Sequence, residues 1–415
     1  MNDLVERIKR YPRGCERMAN SFVYNESVRG AWTPIWVRNS HENYSEIKRR
    51  FQTANYDLAS LKPKMKGGPC LILGSGPSLE DVKPYLKDWK GAIFCSTSHL
   101  PLMAYLGIEN FYCCLIDADP SMTWLVTDYV KKDAETILLT HPQIPAAYLK
   151  HWRDDRAYFF RMLDPSDKFS NDYLPLGYGW LNEEKKWSIG TTVLNGGNIV
   201  NTMIPMCHAF GFSPIFLCGY DLGYPDNKRR SGDYKRHPDG TWEIIPPPEL
   251  TPQRFIDAVK IESNNGVPFD ELGMFYKTSS IILFGMAAPP VISCSRGVMT
   301  EFPYAAPELV VKNQGVGFDH LIVDAKTAYR AAQAYLRPRG FLIIKTDFWA
   351  SVQNMAGMKL KDKIEHLLSW YWYKDKPWKW LGGKGYVPRN VKKMQKKQKK
   401  AKKAAELAKK GVPSV

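Results

Sequence analysis

One pattern constrains the fold of this chain more than any other. From residue 69 onward, short apolar runs end in small polar turns and reopen as amphipathic segments, again and again. The segment 69–86, PCLILGSGPSLEDVKPYL, is the clearest case: an apolar run, a Gly-Ser-Gly-Pro turn, then helical spacing opening at a Ser. That order is strand, turn, helix. GAIFCSTSHLPLMAYLG (91–107) repeats it, and FYCCLIDADPS (111–121) closes a third run on two carboxylates. AETILLTHP (134–142) and RAYFFRML (156–163) supply two further runs, and SPIFLCGYDLGYPDN (213–227) a buried one with a polar tip. Strands alternating with helices predict an α/β, Rossmann-like domain whose mostly parallel sheet carries helices on both faces. SSIILFGMA (279–287) and PPVISCSRG (289–297) are expected to close that sheet.

The flanks differ in character. Residues 1–62 predict a helical N-terminal extension, 63–310 the Rossmann-like domain, 311–388 a helical C-terminal appendage, and 389–415 a flexible Lys-rich tail. Within the domain, the polar, Pro-rich stretch 226–268 is too long for an ordinary connection and predicts a lid or acceptor-binding insertion. TTVLNGGNIVNTMIPMCHAFGF (191–212) predicts a Gly-containing turn into a helix.

At 415 residues with 44% hydrophobic content, the chain has material for a large core, which excludes global disorder and a small stapled module. No run of about 18 uncharged apolar residues occurs, and the opening MNDLVERIKRYPRG carries charge where a secretory signal is apolar. A cytoplasmic protein without a transmembrane segment is expected. The eight cysteines contain no CxxC pair and most sit in apolar stretches, so they predict buried thiols rather than zinc ligands. The net charge of +16 is concentrated in the tail: residues 389–410 hold eleven basic residues against one acid, Glu406. Such a run makes nucleic acid a possible partner through counterion release, and WYWYKDKPWKW (370–380) interleaves rings with cations in the same sense.

Chemistry concentrates at the predicted strand ends. Gly74, Ser75, Gly76, Pro77 and Ser78 form a turn in which glycines admit a close ligand, Pro77 sets the bend and Ser78 caps the next helix. The positive end of that helix is expected to face a phosphate. The turn is neither GxGxxG nor the GxxxxGK[ST] loop. Ser96, Thr97, Ser98 and His99 follow the second strand. Asp117 and Asp119 follow the third in a DxD spacing able to hold Mg2+ beside phosphates. Asp221 and Tyr224 follow a later strand. His99 and His237 are the histidines placed to act as bases.

These residues carry a resemblance. ILGSGPSLED, CSTSHLPLMAYLG, IDADPSM and GGNIVNTMIPMCHAFGFSPIFLCGYDLGY, taken in order, resemble the 6-hydroxymethylpterin diphosphokinase MptE-like superfamily, which includes motility accessory factors that glycosylate flagellin. They are also similar to bacterial sialyltransferases of glycosyltransferase family 42. The resemblance covers about 66–305 and implies a nucleotide-binding transferase. It implies nucleotide contacts from Gly74 to Ser78, from Ser96, Thr97 and Asp119, from Gly197 and Asn198, and from Tyr224 or Tyr234. Ser75 and Asp119 stand where the sialyltransferases carry Asn, and no His falls near Val267 and Pro268, where their base lies. Asp117 and Asp119 suit the metal-dependent diphosphokinases better.

Three functions follow as expectations. The first is glycosyl transfer from a nucleotide-activated sugar to a hydroxyl acceptor, with His237 or Asp221 as base. The second is Mg2+-dependent diphosphate transfer from ATP, with the metal on Asp117 and Asp119. The third is an inactive transferase fold that binds nucleic acid through its tail.

Overall fold

A computed structural model describes residues 13–322 except 66, 133, 164–188, 190, 195–197, 252–265, 271, 274, 275, 278, 279 and 282–288. The predicted appendage beyond 322, the Lys-rich tail and Gly197 lie outside the described residues.

The chain enters as helix α1 (Arg13–Thr53), continues through a 3-10 segment (Leu58–Lys64), and then builds the sheet. Seven strands pair side by side: β1 (Gly68–Leu73), β2 (Ala92–Ser96), β3 (Tyr112–Leu115), β4 (Ile137–Thr140), β5 (Ala157–Phe159), β8 (Phe212–Cys218) and β11 (Val291–Ser293). Two short strands between them, β6 (Arg161–Leu163) and β7 (Thr192–Leu194), pair with each other as a separate ribbon. The seven run β11-β8-β1-β2-β3-β4-β5, and every pairing is parallel. The chain therefore winds outward from β1 in one direction to β5, then returns to the other side of β1 for β8 and β11. The expectation of a parallel Rossmann-like sheet holds.

The composition of the strands explains that architecture. Cys70, Leu71, Ile72 and Leu73 are all buried, as are Ile215, Phe216, Leu217 and Cys218, so both faces of the central strands need cover. A sheet that is apolar on both faces is stable only between layers of helix. The cover comes from short helices: α2 (Leu100–Leu106), α3 (Thr123–Tyr129), α4 (Ala146–His151), α5 (Ile199–Ala209) and α6 (Pro307–Lys312). Helix α2 starts with Pro101 in its first turn and stops at Gly107, whose φ of 67° is open to glycine at no steric cost. Seven cysteines (Cys70, Cys95, Cys113, Cys114, Cys207, Cys218 and Cys294) are buried free thiols within this core. No helix among the described residues is long and apolar enough to cross a membrane.

One strand expectation is corrected. PPVIS forms β11 as expected, but Ser280 and Ile281, from the run predicted as another strand, are helical. Tertiary context decides such short apolar runs, since periodicity alone does not separate a buried strand from a buried helix segment.

Helix α1 is fixed by side chains that read backbone. Asn39 Nδ2 donates to the carbonyls of Ala118 (3.2 Å) and Gln143 (2.9 Å), and Asn43 Nδ2 to those of Pro142 (2.9 Å) and Ile144 (2.6 Å). The helix thus crosses the carboxyl ends of β3 and β4. Arg50, 1% exposed, donates to Leu149, Trp152 and Arg153 carbonyls at the end of α4 and pairs with Glu46 at 2.9 Å. Replacing Arg50 by Ala leaves those carbonyls unpaired in a buried place. The expected cost is about 3 kcal/mol, read as a lower midpoint in urea denaturation.

Candidate functional site

Strand order reverses between β1 and β8, and in an open parallel sheet the ligand crevice lies beyond the carboxyl ends at that point. Here the protein has closed part of the crevice with its own groups. Gly74 N–H donates to the Cys218 carbonyl at 2.7 Å and Gly76 N–H to the Gly219 carbonyl at 2.8 Å, so the ladder between β1 and β8 runs on into the turn. Asp221 then reaches across. Its Oδ2 accepts from Ser78 N–H at 2.9 Å and its Oδ1 from Ser78 Oγ at 2.5 Å. An anion does sit at the head of the 3-10 segment Pro77–Asp81, and it is a carboxylate of the same chain.

This revises several expectations. Ser78 is not a cap: Gly76 holds the cap position, and Ser78 is fully buried inside the segment with both donors on Asp221. Gly74, Pro77 and Ser78 are buried. The glycines serve close packing of backbone on backbone, since a Cβ on Gly74 would meet the Gly219 carbonyl and one on Gly76 would collide with the Asp221 carboxylate. Asp221, expected as a base, is engaged by Ser78. It is 1% exposed, both its oxygens accept from Ser78, and burial pushes its pKa up to about 6 against the lowering effect of those bonds.

The accessible polar groups lie one strand over. Ser75, Gly76, Ser96, Thr97 and Ser98 are half-buried at the carboxyl ends of β1 and β2. Ser98 Oγ joins Ser75 Oγ (2.9 Å) to Ser96 Oγ (2.8 Å), giving a row of three hydroxyls. His99 sits beneath them, buried, and closes a capping box with Ser96. Ser96 N–H donates to His99 Nδ1 at 3.3 Å, which assigns the ring proton to Nε2, facing Ser75 Oγ at 3.4 Å. Burial lowers the His99 pKa to about 4, so the ring is neutral and orients hydroxyls instead of taking protons.

Asp117 and Asp119 flank the row beyond β3. The strand stops at Leu115, so they occupy a turn and not a continuing strand face: Asp117 Oδ1 accepts from Asp119 N–H (3.0 Å) and Asp119 Oδ1 from Ser121 N–H (2.8 Å). Asn198 lies on the other flank. Its Oδ1 caps α5 through Asn201 N–H (2.9 Å), and its Nδ2 donates to Tyr220 OH, just past β8, at 3.3 Å. Helix α5 precedes the parallel strand β8 and runs opposite to it, which brings its positive N-terminal end to the same edge of the sheet.

Tyr224, Tyr234 and His237 go elsewhere. Tyr224 N–H donates to the Pro268 carbonyl (2.8 Å) and its OH to Asp270 (2.5 Å), on the β11 side. The insertion carries a hairpin, β9 (Asp233–Arg236) and β10 (Trp242–Ile245). Its root is on the turn, where Ser231 N–H donates to the Ser75 carbonyl at 3.0 Å, and it descends along α2 and α3. Tyr234 is spent on that descent, stacked on Tyr105 at 4.4 Å with Lys83 Nζ 4.9 Å from its ring centre. Arg236 reaches the Asp128 carbonyl in the last turn of α3, so His237, next along, is carried off the strand-end edge and faces Glu243 at 3.4 Å. His237, expected as a base, therefore lies on the hairpin and not beside the hydroxyl row.

A feature the sequence reading missed lies beyond β8 and β11. A cavity of about 750 Å³ is bounded by residues 224–227, 266–268 and 293–304, including Tyr224, Asn227, Arg296, Thr300, Phe302 and Tyr304. Asp226 and Asn227 on its near wall, and Leu222 shortly before them in the chain, have φ between 51° and 57°. Non-glycine residues rarely adopt that region. Arg296 donates to Asp81 at 2.6 Å and to Asp226 at 2.8 Å, tying the cavity wall to the segment that carries the turn. Gly297 after PPVISCSR was the available signal, since it lies too close to the Asp221 backbone for any side chain.

With the hydroxyl row, the acidic turn and the α5 terminus placed on one edge, the comparison with known proteins has a structural context. Residues 39–227 match the family model described as 6-hydroxymethylpterin diphosphokinase MptE-like. The matched segment begins at Asn39, which ties α1 to the strand ends, and ends at Asn227 on the cavity wall; β1 to β8 fall inside it, and the β9–β10 hairpin and β11 outside. The MAf glycosyltransferase from Magnetospirillum magneticum AMB-1 is a similar solved structure, 12% identical with a TM-score of 0.38, over 74% of this chain. The match spans 46% of that protein, a little under half its length. No curated protein matches the sequence.

Two outcomes follow. Gly76→Ala pushes a methyl into the Asp221–Ser78 contact and is expected to destabilise by about 3 kcal/mol, measured by urea denaturation. Stability also depends on pH with a calculable sign. His99 and His141 are buried neutral with pKa lowered to about 4, so the stability they contribute is present above pH 6.5 and lost as pH falls toward 4. Asp221, raised to about 6, acts oppositely over 3.8 to 6 and offsets part of the loss. Unfolding free energy is expected to drop on acidification from pH 6.5 to 4, by up to about 3 kcal/mol per histidine, and His99→Asn is expected to flatten the slope.

Proposed function

We propose that the MptE-like segment forms a nucleotide-dependent transferase that takes a sugar from a nucleotide-activated donor and moves it to an acceptor hydroxyl. The observation that supports this most is the edge described above: three linked hydroxyls, a helix N-terminus and two carboxylates converge beyond the carboxyl ends of β1, β2 and β3, beside the reversal of strand order. Ser75, Ser96 and Ser98 donate to donor oxygens, with His99 holding their orientation from below. Thr97 and Asn198 complete the rim. As the acceptor oxygen bonds to the sugar and the bond to the donor phosphate breaks, charge grows on the leaving phosphate, and the acceptor's hydroxyl proton passes to that phosphate oxygen or to solvent water. Hydroxyls and the α5 terminus are placed to stabilise that charge.

Asp117 and Asp119 favour a second reading, diphosphate transfer from ATP to a hydroxylated small molecule. Each spends one carboxylate oxygen on a backbone N–H and keeps the other for a cation. Among the described residues no three of His, Cys, Asp and Glu converge. A metal here would be Mg2+ held by the two aspartates together with substrate phosphates and water, which is its usual habit. When bound it would neutralise phosphate charge. Phosphoryl transfer asks mainly for positioning and electrostatics, so the absence of a histidine base at this edge does not weigh against it.

A thermal-shift screen of the full chain against CMP-, UDP- and GDP-sugars and ATP, with and without Mg2+, separates the readings. A true donor at 100 times its dissociation constant is expected to stabilise by about 2.7 kcal/mol. Ser96→Ala is expected to reduce that shift, and absence of any shift across the screen would remove the proposal. Asp119→Ala and EDTA are expected to abolish ATP-dependent transfer if the second reading holds, and to leave a metal-independent sugar transfer measurable if the first does.

A further inference from the structure

The cavity beyond β8 and β11 is separate from the hydroxyl row, and its lining has a chemistry of its own. We propose that it is a binding site for a small organic cation, a methylated ammonium compound of the choline class. The site stands independently of the transferase reading.

Charge decides the sign of the ligand. The charged side chains of the lining are Asp226 and Arg296. Two more carboxylates bond directly to that lining: Asp81 pairs with Arg296 at 2.6 Å, and Asp270 accepts from Tyr224 OH at 2.5 Å. Among the described residues, three carboxylates thus stand against one guanidinium, while neighbouring Lys277 and Glu301 pair with each other at 3.0 Å. A phosphate or carboxylate entering here meets net negative charge, and a cation is drawn in. Asp226 is the carboxylate it reaches, since that side chain is 61% exposed and gives only Oδ2 to Arg296.

The walls decide the kind of cation. Tyr224, Phe302 and Tyr304 line the cavity, and aromatic rings attract an alkylated ammonium group through their electron-rich faces. Burial raises the Tyr304 pKa and nearby Asp81 adds to the rise, so one ring and one carboxylate share an end of the cavity. A primary ammonium would bring three N–H donors to satisfy. The acceptors at hand are largely taken: both Asp81 oxygens face Arg296, at 2.6 and 3.4 Å, and the Asp270 oxygens accept from Tyr224 OH and Gly273 N–H. A trimethylammonium group donates nothing, so it gains the field and the rings without leaving a donor unpaired.

Size leaves room for the rest of such a molecule. About 750 Å³ lies within the 300 to 1,000 Å³ range of small-molecule sites. Thr300 and Asn227 on the same lining offer hydrogen bonds to a hydroxyl carried on a short chain.

Isothermal titration calorimetry on the full chain tests this with four probes: choline, its uncharged carbon isostere neohexyl alcohol, ethanolamine and phosphocholine. Choline is expected to bind, and neohexyl alcohol and ethanolamine to bind at least about fivefold more weakly. Phosphocholine separates a free ligand from a phospholipid headgroup and is expected to bind more weakly than choline. Asp226→Asn removes the charge and keeps a residue type that tolerates φ of 54° at that position. It is expected to weaken choline binding about fivefold, as is Tyr304→Ala, whereas Tyr304→Phe keeps the ring and the affinity. Tyr304 is 55% exposed, so its truncation spares the core, and Asp226→Asn alone carries the test if Tyr304→Ala lowers the unfolding midpoint. No binding of choline, equal affinity for neohexyl alcohol, tighter binding of ethanolamine or phosphocholine, or unchanged choline affinity in folded Asp226→Asn overturns the proposal.

Discussion

The contact between Asp221 and Ser78 organises this protein. A carboxylate just past the carboxyl end of β8 satisfies the donors at the head of the segment after β1, and so ties together the two strands between which strand order reverses. Everything accessible is arranged around that closure. On one side the closed turn leaves Ser75 facing the hydroxyls after β2. On the other, the Asp221 backbone holds the segment 296–298 that walls the cavity. The carboxylate is costly to bury, as its raised pKa shows, and two hydrogen bonds from one residue offset part of that cost.

Much of the fold was legible because apolar runs buried on both faces leave little choice. PCLIL, AIFCS, YCCL, ILLT and FSPIFLC all form strands of the parallel sheet where the pattern puts them. Ser280 and Ile281 were misjudged for the converse reason, since a short apolar run carries no periodicity to tell helix from strand. The site was legible in part. Strand-end positions found Ser75, Ser96, Thr97, Asp119 and Asn198 at the carboxyl edge. Composition alone did not reveal that the Gly-Ser-Gly turn packs on a second glycine turn, because Gly219 lies 145 positions away from Gly74. Nor did it show that the insertion folds down the flank and takes His237 with it. Both are facts of tertiary contact.

The histidines divide by burial. His99 and His141 are enclosed and neutral, the former aligning hydroxyls and the latter bonded to the Ile116 carbonyl at 3.0 Å. His237, on the hairpin, pairs with Glu243. A residue type chosen in sequence for its ability to titrate near neutrality thus serves, at the strand ends, as a fixed support for groups that do not titrate at all.

Helix α1 grips its neighbours by main-chain oxygens. Asn39, Asn43 and Arg50 take the carbonyls of residues 118, 142, 143, 144, 149 and 152, and none of these bonds depends on which side chain those residues carry. The loops beneath the helix are consequently free to vary in identity while their docking stays intact. A chain built this way can change side chains in those loops, one substitution at a time, without loosening the helix that spans them.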